Sequence, residues 1–332
     1  MKTVCIYHSI DLDGWMSAAI VKHWYEKKYY PNTLYHGNVI VDPNEGLHSL
    51  TFLGWNYGDP IPNLSEYDEV IMCDVSFPLT DMLELDNKEF IWIDHHISAI
   101  TKIDSFVKEN MEFQDKTIAD EVKIDGLRDT NFAACELTWQ YFFPNQSMPE
   151  IVRLLGRYDC FGHKGTNEEK KVLEFQYGAR QAISNYEEAY DYLLRSIHKS
   201  RISSTIEEDI LMQGKSIYSY LCTEAKQIYK NGFEIKFEEE KWIYNPNNII
   251  IHERKFICFN RERFNPINFG INYHKDGYDG AACFWYTNGM WNFSLYNDNG
   301  EVDCSVIAKE YGGGGHKGAA GFRIDNIKNI IK

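Results

Sequence analysis

The sequence predicts an α/β protein: a doubly wound parallel-sheet domain joined by a long helix to a smaller α+β domain with a mixed sheet. Three observations carry this expectation. Strand-like apolar runs alternate with helix-like segments from residue 1 to about 185, as in a doubly wound sheet. One amphipathic stretch then runs from Ser203 to Asn231, and beyond it residues 233–332 hold alternating strand patterns and a single late helix. The expected domains are therefore 1–185 and 233–332, with 186–232 as a helical linker.

The elements follow in order. Val4 to Tyr7 is a strand, Gly14 to Trp24 a helix, and Val39 to Val41 a short β-branched run. Gly54 to Pro60, rich in Gly, Pro and aromatics, is expected as a loop, with Trp55 and Tyr57 packed inside it in preference to stacking on substrate bases. Val70 to Cys73 and Phe90 to Ile93 are strands that end at Asp74 and Asp94. Asp129 and Thr130 form a cap-like start to a helix over Ala133 to Phe143, closed by Pro144, and Pro149 opens another that leads to Asp159. In the linker, Ile206, Ile210, Gly214, Ile217, Leu221, Ala225 and Ile228 recur at helical spacing, and Gly232 stands where the helix should end. Ala281 to Tyr286 and the alternating Trp291, Phe293 and Leu295 flank Asn288-Gly289, a hairpin signal. Cys304 to Tyr311 is a short helix entering Gly312 to Gly315 and His316.

Composition narrows the partners. The formal net charge is -15, which opposes long nucleic acid because such binding is driven by basic groups releasing phosphate counterions. A small anionic substrate held by metal ions stays compatible. The eight cysteines are scattered without a C-x-x-C pair, which points to a reducing compartment and away from a zinc knuckle. No stretch approaches the roughly 20 apolar residues of a membrane span, and the amino-terminal apolar run is too brief for a signal peptide. A cytoplasmic protein is expected.

Three apolar runs of the first hundred residues end in Asp or His. His8, Asp11 and Asp13 follow the first, Asp74 the second, and Asp94, His95 and His96 the third. In an open parallel sheet, ligands bind at the carboxyl ends of the strands. A single Asp would suffice to cap the first helix; an imidazole and two carboxylates exceed that need. A site rich in oxygen with a few nitrogens suits a pair of hard to borderline cations, Mn²⁺ or Mg²⁺ more than Zn²⁺. Asp74 is placed to bridge two ions held roughly 3.5–4 Å apart. Of the adjacent histidines, one is suited to a metal and the other to substrate, with Asp94 as acceptor for the second ring nitrogen of the metal-bound one. Asp159 would supply one more carboxylate. Gly313, Gly314 and Gly315 allow successive N–H groups to face an oxyanion, and His316 adds a donor. These residues describe a two-metal phosphoester hydrolase.

With these motifs the chain resembles the DHH phosphoesterase superfamily, in the oligoribonuclease-like branch whose second domain is the DHH-associated domain. His8, Asp11 and Asp13, then Asp74, then Asp94-His95-His96, then Asp159 match its four amino-terminal motifs, Asp74 and Asp159 by order and context. Gly312 to Gly321, with His316 and Lys317, matches the carboxy-terminal glycine motif. The resemblance implies two Mn²⁺ ions per chain, with Mg²⁺ or Co²⁺ as substitutes, and substrate in the cleft between domains. It implies His8 and Asp11 on one metal, Asp13, His95 and Asp159 on the other, Asp74 between them, and His96, with Asp94, at the substrate phosphate. Two departures stand out. Many relatives space the first His and Asp one residue differently. Many also carry Ser-Leu-Arg-Ser where this chain has Ser294-Leu295-Tyr296-Asn297. Arg254, Lys255, Arg261 and Arg263 are the candidates to replace that phosphate-clamping Arg, with Tyr296 free to stack on a base.

The expected function is hydrolysis of short single-stranded oligonucleotides, RNA before DNA, to nucleoside monophosphates. Its nearest rival is a 3′-phosphoadenosine 5′-phosphate or cyclic or linear dinucleotide hydrolase. A catalytically silent nucleotide-binding sensor is a rival of another class. Long duplex nucleic acid and membranes are not expected partners, and a homodimer is left open.

Overall fold

Four apolar runs pair as a parallel sheet at the start of the chain, in a computed structural model that describes residues 1–31, 47–85, 88–112, 124–198, 205–242 and 249–331. The strands β1 (Lys2–His8), β2 (Ser49–Trp55), β3 (Glu69–Cys73) and β4 (Glu89–Ile93) lie in the order β2-β1-β3-β4. Every neighbouring pair is parallel. β3 is buried throughout and β1 nearly so, as befits strands covered on both faces. The chain leaves β1 for β2 and returns past β1 to β3, so strand order reverses between β1 and β3. A crevice opens at the carboxyl ends of strands at such a reversal. β1 and β3 carry His8 and Asp74 to that edge, and β4 carries Asp94.

The helices of this part are α1 (Leu12–Tyr29), α2 (Leu79–Leu83), α3 (Ile97–Glu112), α4 (Ala134–Phe142), α5 (Glu150–Asp159), α6 (Glu169–Ala182) and α7 (Tyr186–His198). α1 is buried on most sides, and its Met16, Ala19 and Ile20 join Trp139, Leu155, Phe175 and Leu193 in one core. A long helix, α8 (Ile206–Tyr229), follows. The chain divides into two compact units, Met1–Ile217 and Tyr218–Lys332, so the boundary falls inside α8. The stretch 186–232 is thereby shared: Ala189, Tyr190 and Leu193 of α7 belong to the core of the first unit.

The second unit is a mixed six-stranded sheet of β5 (Phe233–Trp242), β6 (Ile249–Asn260), β7 (Gly280–Thr287), β8 (Met290–Tyr296), β9 (Gly314–Gly315) and β10 (Ala319–Ile324). Its order is β5-β6-β7-β8-β10-β9, and β6 runs parallel to β7. The helix α9 (Cys304–Glu310) packs Cys304, Ile307 and Ala308 into the core beside Phe237, Phe293 and Phe322. Asn288 and Gly289 both take positive φ, 52° and 79°, the backbone of a two-residue hairpin turn that matches strand twist.

Several boundaries differ from expectation. Gly54 and Trp55 end β2 and are not loop residues. The run Val39 to Val41 and the helix start at Ser203 lie outside the described residues. The helix expected to be capped at Asp129 begins at Ala134, where Glu136 Oε2 accepts from Ala133 N at 3.1 Å. Asp129 instead accepts from Asn131 N at 2.8 Å, closing a turn. Among the described residues no helix is long and apolar enough to cross a membrane, and all eight cysteines are free.

Gly214 in the apolar stripe of α8 is there for contact. A Cβ on it would lie 1.8 Å from the carbonyl oxygen of Glu174, and one on Gly178 would lie 2.2 Å from that of Ile210. α6 and α8 therefore cross backbone to backbone. Gly214→Ala is expected to destabilise the fold by about 1–3 kcal/mol despite alanine's better helix propensity. A urea titration reads this as a lower midpoint. An unchanged or higher midpoint would show that the helices part without cost.

Candidate metal centre

Each polar side chain at the sheet edge is placed by a different element. His8 ends β1. Asp11 caps α1, its Oδ1 accepting from Gly14 N at 3.0 Å. Gly14 is required for this: a Cβ there would lie 2.0 Å from the His8 carbonyl oxygen. Asp13, buried in the first turn of α1, accepts from the amides of Ala134 (2.9 Å) and Cys135 (2.7 Å) at the start of α4. Asp74 follows β3 with φ of 63°, a left-handed conformation that Asp tolerates better than most residues but at a cost. Asp159 ends α5, which Arg157 ties to buried Glu136 of α4 through Nη2–Oε2 at 2.5 Å. Gly156 makes room for that carboxylate.

These residues converge. His8 Nδ1 lies 2.6 Å from Asp11 Oδ2 and 3.4 Å from Asp74 Oδ2. His95 Nε2 lies 3.3 Å from Asp74 Oδ1, 3.3 Å from Asp159 Oδ2 and 3.7 Å from Asp13 Oδ2. Three groups result, each with ligand atoms within 4.8 Å of one another: His8, Asp11 and Asp74; Asp13, His95 and Asp159; and Asp74, His95 and His96. Asp74 is 1% exposed, and neither of its oxygens makes an aligned hydrogen bond. A buried carboxylate left in that state is costly unless something else takes its charge. Buried oxygens and imidazole nitrogens that approach closely without hydrogen-bond alignment fit cation ligands, so the donor set present here accommodates divalent metal.

The electrostatics agree. Burial alone would lower the His8 imidazole, yet Asp11 and Asp74 hold it up at about 10. His95 is likewise held at about 11, against burial, by Asp74, Asp159 and Asp13. Burial pushes Asp159 up to about 6 and Asp13 upward too, with Asp74 and Asp159 adding repulsion. The imidazoles of His8 and His95 outweigh burial at Asp74 and keep it ionised. In the metal-free protein both imidazoles thus carry protons at neutral pH, and a cation must displace them. Mn²⁺ titrated into apoprotein at pH 7 should release about two protons per chain, and affinity should rise with pH. Calorimetry in buffers of different ionisation enthalpy measures this. A heat independent of buffer would mean that the imidazoles are already neutral.

Asp94 is fully buried, and its Oδ1 accepts from the amides of His95 (2.7 Å) and His96 (3.1 Å) and from His96 Nδ1 (2.7 Å). The expectation gave Asp94 to the metal-bound histidine, His95 by resemblance; the structure instead pairs it with His96, because Asp94 Oδ1 reaches that ring at 2.7 Å. Burial opposes the His96 imidazole, and Asp94 raises it.

In the second unit the expected amide nest is narrower than the glycine run suggested. Gly312 N and Gly313 N donate to the Lys309 and Ala308 carbonyls, and His316 N donates to Ala319 at 2.7 Å. Gly314 and Gly315 pair with Gly321 and Ala320, so the run is a hairpin closing the sheet edge. Tyr296 is partly buried against the cluster that holds Phe259, Phe264 and Cys283. Of the basic candidates, Arg254 pairs with buried Glu239 at 2.7 Å and Arg261 with Glu224 at 2.9 Å. Arg263 lies 3.7 Å from Glu262 and is largely exposed, as is Lys255.

One residue escaped the sequence reading, and another has more than the packing role given to it. Arg180 on α6 lies over the rings of Tyr158 (5.3 Å) and Tyr177 (5.4 Å) and donates to the Tyr158 hydroxyl at 3.4 Å. Tyr158 adjoins Asp159, so a guanidinium without a carboxylate ion pair among the described residues stands beside the cluster. Its only sequence signal was Tyr177 three residues earlier on a helix. Tyr57, expected as loop packing, sets its ring 6.4 Å from His8 and 6.1 Å from His96.

Comparison with known proteins gives distant likenesses. No family model matches the chain. It is 24% identical over 342 residues to an uncharacterized protein of Acanthamoeba polyphaga mimivirus, across 99% of this chain and 69% of that one. Among solved structures it is similar to an exopolyphosphatase-related protein of Bacteroides fragilis (14% identity, 98% of this chain and 87% of that one, TM-score 0.49). It is also similar to a pGpG-specific phosphodiesterase of Vibrio cholerae (12% identity, 98% and 93%, TM-score 0.46). A third is an uncharacterized protein of Helicobacter pylori G27 (14% identity, 98% and 94%, TM-score 0.34). Likenesses this remote do not specify a reaction.

Proposed function

We propose that the chain is a metal-dependent phosphodiesterase acting on short single-stranded oligonucleotides, RNA before DNA, with nucleoside monophosphates as products. The observation that supports this reading is the position of Asp74. Its Oδ2 faces His8 and its Oδ1 faces His95, so one buried carboxylate is shared by two ligand groups, as a pair of ions requires.

His8, Asp11 and Asp74 would hold one divalent cation and Asp13, His95, Asp159 and Asp74 the other. Such ions, when bound, supply Lewis acidity toward the phosphate and a nucleophile at neutral pH. The protein's own groups do the rest. Asp94 orients His96 and favours its protonated form, so that the ring can donate to a phosphate oxygen as charge builds there. Arg180, set over the rings of Tyr158 and Tyr177, offers a guanidinium to a neighbouring phosphate. In the second unit, His316 on the glycine hairpin is assigned to a phosphate donor role. The net charge of -15 favours substrates of a few nucleotides over long strands.

The experiment is chelation followed by single-metal add-back, with RNA and DNA dimers to 24-mers, a cyclic dinucleotide, 3′-phosphoadenosine 5′-phosphate and pyrophosphate as substrates. Activity should vanish in chelator and return best with Mn²⁺, because imidazole ligands suit it better than Mg²⁺. Dimers and trimers should be cut faster than 24-mers. Full activity in chelator would end the metal reading, and turnover confined to pyrophosphate would end the oligonucleotide reading.

A further inference from the structure

A groove of about 500 Å³ opens in the first unit beside the metal cluster. We propose that it receives the nucleobase attached to the phosphate at the cluster, so that the protein selects nucleotide esters over other phosphoesters. The proposal rests on the phosphodiesterase reading for what anchors the phosphate.

Its walls come from segments that neighbour the ligands in the chain or in the sheet: β2 and the loop after it, the stretch after Asp74 into α2, and α3 after His96. Ile103 and the buried Trp55, Phe77 and Met82 form its apolar floor, and Asp59, Ser98 and Lys102 supply polar edges. Ser98, Ala99, Lys102 and Ile103 recur at the spacing of one helix face, on α3, which begins one residue after His96. Phe77 lies three residues past Asp74. Tyr57 belongs to both places: it lines the groove and its ring edges meet His8 and His96. A phosphate between those imidazoles therefore has the groove as its neighbour.

The chemistry of the lining identifies the occupant. The Trp55 indole N–H is spent on the Pro60 carbonyl, and the Tyr57 hydroxyl on Ser76 N (3.3 Å) and Oγ (3.4 Å). Trp55 is itself buried against Tyr57 and Phe77, so the ring surface on offer is that of Tyr57, which is 52% exposed directly beside a charged cluster. Ring surface binds planar bases with little regard to sequence. A further inorganic phosphate would need several cations to leave water, and among the described residues Lys102 is the one cationic side chain in the lining, with Asp59 also there. A groove of a few hundred cubic ångströms has room for one nucleotide.

The test is calorimetric titration of the full chain, with Mn²⁺ present, by adenosine 5′-monophosphate and by ribose 5-phosphate. Wild type should bind the nucleotide roughly tenfold or more tightly than the sugar phosphate, the worth of one stacked base. Tyr57→Ala, which removes the ring, and Ser98→Trp, which fills the groove from an exposed helix position, should each bring the two ligands within about twofold. Equal affinities in wild type, failure of both ligands to bind, or a preference that survives both variants overturns the groove. Dinucleotide hydrolysis measured alongside separates the two ideas. Hydrolysis without base preference sinks the groove alone. A base preference lost in both variants, with no hydrolysis of any dinucleotide, sinks the phosphodiesterase reading and leaves the groove standing.

Discussion

Asp74→Asn is expected to lower turnover by about a thousandfold or more and to leave the protein with at most one bound metal. The substitution keeps shape and removes charge. It also keeps a residue type that tolerates the φ of 63° found at this position, since Asn and Asp visit the left-handed region more readily than other non-glycine residues. Asp74→Ala would confound loss of ligand with backbone strain. Both Asp74 oxygens face imidazoles of different ligand groups, so a neutral amide weakens both groups at once. Charge stabilisation by a metal pair is worth several kcal/mol, and about 4 kcal/mol corresponds to roughly a thousandfold. Metal analysis beside turnover decides. Full metal content in Asp74→Asn would show that the carboxylate is not shared.

His96→Ala should behave differently: a loss of about a hundredfold to a thousandfold in kcat with metal content preserved. The magnitude is that of removing one preorganised donor to a developing charge. The division follows from geometry. His95 Nε2 faces three carboxylates, whereas the close partner of His96 Nδ1 is Asp94 at 2.7 Å, with Asp74 at 3.9 Å. Asp94→Asn should mimic part of the loss, because the imidazole then falls toward its ordinary range and its donor is less charged at neutral pH. A metal-depleted His96→Ala beside a metal-replete Asp74→Asn would exchange the two roles.

The sequence by itself determined the fold class and the residues at the sheet edge. Strands such as Val70 to Cys73 and Phe90 to Ile93 are short, apolar and β-branched or aromatic, and each stops at a polar residue. Local pattern therefore placed Asp74 and Asp94 at strand ends, and the hairpin at Asn288-Gly289 was legible because few other residues adopt positive φ twice in succession. The glycine at 214 was legible as part of a helical stripe, but its reason was not, since a backbone crossing has no local signature.

What the tertiary structure decided is pairing. Strand order β2-β1-β3-β4 brings His8 against Asp74, sixty-six positions away in sequence, and no local property encodes that register. The amides of Ala134 and Cys135 on Asp13 and the placement of Arg180 over Tyr158 depend on helices distant in the chain. The glycine run shows the reverse case: its composition spoke for a nest of free amides, and the sheet edge used several of them for pairing. Composition fixes which groups exist; packing against distant elements fixes which of them remain unsatisfied, and unsatisfied buried polar groups are what a ligand can use.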